Sequence, residues 1–159
     1  MKLQIANCKE ATPFVFLSLI SGNCKFLSIL CMEDFFMRRD TFICMRSKAF
    51  ALRIIKLYRF LIDEKKEFVL SKQIMRNGTS IGANIREAIR AQSTADFIAK
   101  LYISLKEAEE TMFWLELLED SEYVESSQIA NLYEENNELV MIITKSISSA
   151  KNKLQIAND

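Results

Sequence analysis

Residues 73–114 read QIMRNGTSIGANIREAIRAQSTADFIAKLYISLKEAEETMFW. The Asn77-Gly78 step is a turn signal by composition, yet the apolar residues on either side keep helical time through it. Leu70, Ile74, Ile81, Ile85 and Ile89 follow one another at steps of four and seven. The spacing predicts one helix running straight through Gly78 and Gly82. An interior glycine costs a helix roughly 1 kcal/mol relative to alanine. The pair, four residues apart, is therefore expected to clear one face of side chains for close packing.

Three further helices follow from the same period. Upstream, Phe50, Ile54, Leu57, Tyr58 and Leu61 form a stripe that predicts a helix over 47–64, with Ser47 as its N-cap. The glycine helix is expected over 68–91. Ser93 is expected to cap a third helix by accepting from the amide of Asp96, whose carboxylate suits the positive end of the helix dipole. That helix carries Phe97, Leu101, Leu105, Ala108, Met112 and Leu115 inward and ends near Tyr123. A fourth begins at Glu125 or Ser126 and turns Ile129, Leu132, Leu139, Ile143 and Ile147 inward. The linkers are short, so neighbours are antiparallel. The expected fold class is all-α, an antiparallel up-down four-helix bundle with a poorly structured or loosely docked N-terminal extension.

That extension, residues 1–45, differs in chemistry from the bundle at 46–152 and the tail at 153–159. It holds all four cysteines (Cys8, Cys24, Cys31, Cys44) and the single proline, Pro13. Its apolar runs are interrupted by Asn23 and Lys25, short of the roughly 20 continuous apolar residues a membrane span needs. It also makes a weak signal peptide. No membrane contact and a cytoplasmic location are the expectation. The hexapeptide KLQIAN at 2–7 recurs letter for letter at 153–158. We read it as a repeated DNA element translated in frame at both ends, with Met37 or Met45 as the working start. The alternative is an apolar N-terminal helix docked on the bundle.

The formal charge of zero hides a division. Between Arg46 and Gln92 eleven cations face four carboxylates, and from Ser93 onward five face thirteen. Either the halves pair within the bundle or across a subunit interface, or Arg53, Lys56, Arg59, Lys72, Arg76, Arg86 and Arg90 form a basic strip for phosphate or an acidic partner. Gln73, Arg76, Ser80, Asn84 and Glu87 make one polar line along the second helix, beside the close-packing face of Gly78 and Gly82. The line is either a structural network or a ligand contact. Tyr102, Phe113 and Trp114 can stack on bases or belong to the core. The chain contains no histidine and shows no nucleophile elbow or phosphate-cradling glycine loop. No metal, no cofactor and no enzymatic activity are expected.

The segment from Ser47 to about Lys151 resembles the bacterial four-helix-bundle proteins first known as products of intervening sequences in 23S rRNA genes. Accessory variability determinant proteins of diversity-generating retroelements are related to that family. The likeness is carried by FALRIIKLY at 50–58, Glu67-Phe68, Ser71-Lys72-Gln73, RNGTSIGANI at 76–85, Glu87-Ala88, Ser93, Asp96-Phe97-Ile98, Lys106-Glu107-Ala108 and Trp114-Leu115. The resemblance implies a bundle that assembles into a ring-type homo-oligomer, a pentamer. For the retroelement members it implies a basic surface that binds RNA or DNA and a reverse transcriptase-like protein. A non-catalytic nucleic-acid or ribonucleoprotein accessory factor is thus the first expectation. A homo-oligomeric protein-binding adaptor without nucleic-acid contact is the second.

Overall fold

The structure, a computed structural model, describes the backbone of residues 24–158 and the side chains of residues 42–156. Most of the expected N-terminal extension, with Cys8 and the first copy of the hexapeptide, lies outside the described residues. The elements are α1 (Cys24–Asp63), α2 (Leu70–Ile89), α3 (Thr94–Asp120) and α4 (Ser126–Asn158), with no strand among the described residues. The compact unit Arg39–Asp159 holds the bundle.

Each helix meets its neighbours in antiparallel register. Between α1 and α2, Ile54 lies against Gly78 and Ser47 against Gly82. Between α2 and α3, the Ser104 hydroxyl donates to the Ile81 carbonyl at 3.0 Å and Lys100 meets Glu87. Asn136 on α4 donates to the Ala108 carbonyl on α3 at 3.0 Å. Arg53 on α1 pairs with Glu135 on α4, which closes the ring of four. The core holds Phe50, Ile54, Leu61, Ile74, Ile81, Ile85, Leu115, Leu118, Ile129 and Ile143, all but sealed from water. Burying one such side chain contributes about 1.5–3 kcal/mol, which is why the 3.6-residue stripe dictates the architecture.

α2 does run unbroken through both glycines. The two are not equivalent. A Cβ on Gly78 would fall 2.8 Å from Cγ1 of Ile54, whereas one on Gly82 would meet nothing nearer than the Ser47 hydroxyl at 3.5 Å. Gly78 therefore carries the close approach, and Gly82 makes ordinary contact.

Ser93 caps α3 as expected, accepting from the Asp96 amide at 3.1 Å. Ser47 does not cap α1, because the helix already runs from Cys24. Its hydroxyl instead donates to the Cys44 carbonyl one turn back, at 3.2 Å, and it is buried beside Gly82. A serine far inside a helix satisfies its hydroxyl this way.

The turn from α1 to α2 is fixed by Glu67, which no periodicity or capping pattern marks. Buried Glu67 accepts the Val69 and Leu70 amides on Oε1, both at 2.8 Å, and the Ser71 amide on Oε2 at 2.6 Å. The Ser71 hydroxyl returns a bond to the Glu67 carbonyl. Lys66, just before, holds φ 54° and Glu122 in the α3–α4 turn holds φ 59°, the left-handed geometry with which helices commonly end.

Candidate functional site

The cations expected to form one strip separate into two groups. On α1, Arg53 is half-buried and its Nη1 donates to Glu135 Oε1 at 2.6 Å, while Arg46 pairs with Glu138. Part of the sequence's charge division is thus spent within the bundle, α1 against α4. Lys56 and Arg59 on α1, with Lys72, Arg76 and Arg86 on α2 and Arg90 at its C-cap, are all exposed. None of the six has a carboxylate within ion-pair distance among the described residues. Arg76 does sit in electrostatic reach of Glu107. A surface arginine or lysine without a local counterion leaves its field in solvent, where it attracts anions.

The polar line along α2 does not form a single network. Gln73, Arg76 and Glu87 are exposed, whereas Ser80 and Asn84 are half-buried. Asn84 donates to the Ser80 carbonyl of its own helix at 2.9 Å, and Glu87 accepts from Lys100 on α3 at 2.6 Å. That hydrogen bond to Glu87 holds the Lys100 ammonium above its ordinary range.

A further polar contact between α2 and α3 lies one residue away from the line, at Asn77, which is buried and donates from Nδ2 to Glu110 Oε2. Asn77 sits three residues after Ile74 and four before Ile81, in step with the apolar stripe. That spacing could have revealed it. Beside it, burial pushes the Glu107 carboxyl up, and neighbouring Glu110 adds to the rise, while Arg76 and Lys106 pull it back. Lys106 reaches Glu110 at 3.6 Å.

On α3 the outward residues are not purely polar. Tyr102, Ile103 and Phe113 are about half exposed, with Phe113 packed edge-on to half-buried Trp114 at 5.2 Å between ring centroids. Trp114 packs against the core. Lys151 of α4 donates to the Tyr102 hydroxyl at 2.7 Å. Between α1 and the start of α4 a groove of about 540 Å³ is floored by Leu57, Ile129 and Leu132, with Arg53 and Lys56 among its lining residues. Among the described residues no group of histidine, cysteine or carboxylate side chains is arranged to hold a metal. No helix among them is long and apolar enough to cross a membrane.

No curated protein matches the chain. A solved structure, titled as a protein with unknown function from the S23 ribosomal protein family of Bacteroides thetaiotaomicron VPI-5482, is 52% identical to it. The match covers 69% of this chain and 98% of that one, with a TM-score of 0.68. The model of the 23S rRNA-intervening sequence proteins matches residues 39–145, which brackets the α1–α4 contacts and the exposed cations of α1 and α2. With that match spanning most of its length and the four-helix architecture in agreement, the chain belongs to the 23S rRNA-intervening sequence protein family.

Proposed function

We propose that the chain is a non-catalytic, self-assembling helical module. It acts in the cytoplasm as a nucleic-acid accessory factor of the rRNA intervening-sequence type. The observation that carries this reading is the set of six exposed cations, Lys56, Arg59, Lys72, Arg76, Arg86 and Arg90, none within ion-pair distance of a carboxylate among the described residues. Phosphate is the ligand such a set attracts without needing a shaped pocket. The acidic second half of the chain weakens binding by a lone subunit. Several copies in a ring-type homo-oligomer, with a pentamer as the expected count, would engage one nucleic acid together.

The half-exposed Tyr102, Ile103 and Phe113 on α3 support self-association and also support the second reading, an adaptor that binds only protein. Salt separates the two readings. Log affinity for RNA or DNA should fall linearly with log salt, and the double variant Arg86→Glu, Arg90→Glu should flatten that slope by about one to two units. Gel-shift titration at several salt concentrations measures it. Equal and weak binding by wild type and variant at low salt would replace nucleic acid with protein as the partner.

A further inference from the structure

The outer face of α2 has a geometry that its charge alone does not describe. Lys72, Arg76, Thr79, Ala83 and Arg86 follow at steps of four, three, four and three, so they form one stripe along the helix, and Arg90 at the C-cap, four residues on, continues it. The stripe has a cationic pair at each end and a small, uncharged centre. Ala83 is exposed, and the Thr79 hydroxyl is turned back onto its own helix, donating to the Met75 carbonyl at 2.8 Å. At 1.5 Å per residue, Arg76 and Arg86 lie about 15 Å apart along the axis and Lys72 and Arg86 about 21 Å, with Arg90 at the C-cap just beyond.

We propose that this stripe is a saddle for double-stranded RNA, in which α2 crosses the minor groove of an A-form helix, with the two cation pairs on the phosphate rows that border it. The proposal rests on the nucleic-acid reading above and names the class of ligand. Three features select it. First, α2 is flanked by α1 at Gly78 and by α3 at Asn77 and Ser104, so only its outer arc can touch a ligand. A helix held this way cannot sink into a deep, narrow groove, whereas the A-form minor groove is wide and shallow.

Second, the minor groove of B-form DNA, about 6 Å wide, is narrower than a helix with its side chains, about 10–12 Å across, and for the major groove the centre of the stripe offers no base-reading side chain, only Ala83 and a Thr79 hydroxyl turned back onto its own helix. Third, single strands are held on aromatic platforms, and the stripe contains no aromatic residue. The small centre matters because a bulky side chain at position 83 would lift α2 off the groove while leaving every charge in place.

The test is fluorescence anisotropy with the full chain and three probes: a blunt RNA duplex of about 20 base pairs, longer than the roughly 16 base pairs other double-strand readers span, a DNA duplex of the same sequence, and one RNA strand alone. Wild type should bind the RNA duplex about tenfold more tightly than either other probe. Ala83→Phe, at an exposed position, should reduce duplex affinity about tenfold and leave single-strand affinity and the salt slope unchanged. The wild-type ratio between probes needs no variant and stands even if Ala83→Phe folds poorly. Equal affinity for the three probes, or an Ala83→Phe variant with wild-type duplex affinity, overturns the saddle. If binding in that case still responds to Arg86→Glu, Arg90→Glu, the broader nucleic-acid reading survives. If no probe binds at low salt, both fall.

Discussion

Between α1 and α2 the helices meet by shape, with the missing side chain of Gly78 admitting the branched side chain of Ile54. Between α3 and α4 they meet by hydrogen bonds, from Asn136 to the Ala108 carbonyl and from the Tyr133 and Ser126 hydroxyls to Glu119. The Ser126 and Tyr133 hydroxyls hold the Glu119 carboxyl below its ordinary range, and burial pushes the Tyr133 phenol up, reinforced by Glu119. The two kinds of contact constrain different things. A notch fixes how near two helices lie, because overlap is punished at once. A bond to one particular carbonyl fixes how far along each other they slide, because a shift of one turn leaves buried polar atoms without partners. The bundle uses the first where α2 must lie close, and the second where long helices could change register.

The comparison breaks most easily at Gly78. Gly78→Leu would force a side chain into the space of fully buried Ile54 and should destabilise the protein by about 3 kcal/mol, the upper end of typical overpacking costs. Chemical denaturation measures it, and an unchanged midpoint would show that the notch has slack. A smaller effect of opposite sign is expected at Asn136, which is fully buried and has Oδ1 without a partner. Asn136→Leu keeps the branched side chain of four heavy atoms and removes the orphaned oxygen, so it should raise stability by about 1 kcal/mol. A loss instead would mean that the bond to Ala108 outweighs the oxygen it strands. The smallest effect belongs to Gly82. Its Cβ position has ordinary clearance, so Gly82→Ala should gain about 0.5 kcal/mol from helix propensity. A marked loss in thermal denaturation would make Gly82 a second notch.

The sequence made some of this legible and hid the rest for physical reasons. The stripe of Ile74, Ile81 and Ile85 and the Ser93 cap were readable because periodicity and capping are local, and both appear in the structure. Ser47 carries the same local signature without being a cap. A capping residue and a mid-helix serine differ only in what precedes them, and here α1 already extends upstream. The polar line from Gln73 to Glu87 kept helical spacing, but spacing gives a face without saying whether that face is wet. Asn77 was obscured by the glycine beside it, although its step from Ile74 matched the core. Which glycine was tight depended on Ile54, a residue on another helix, and no local pattern carries that. Neither did any pattern show that Arg53 would turn to Glu135 and leave Lys56 and Arg59 without an ion pair among the described residues. Partner choice between helices is set by the assembled bundle.

The grip of Glu67 on the Val69, Leu70 and Ser71 amides has a consequence for motion. Helix ends normally fray, and their first amides trade hydrogen with water almost as fast as in an open chain. Here two helix-entry amides and the Ser71 amide are taken by one buried carboxylate, so the start of α2 can loosen only when the whole turn opens. Burial acts to push the Glu67 carboxyl up, but the bonds from Ser71, Leu70 and Val69 outweigh it and hold the group below its ordinary range. A carboxyl depressed in the folded state contributes stability that persists at neutral pH and disappears only as acid protonates it. The beginning of α2 is therefore expected to exchange as slowly as a helix interior at neutral pH, and to become a frayed end in acid before the rest of the bundle lets go.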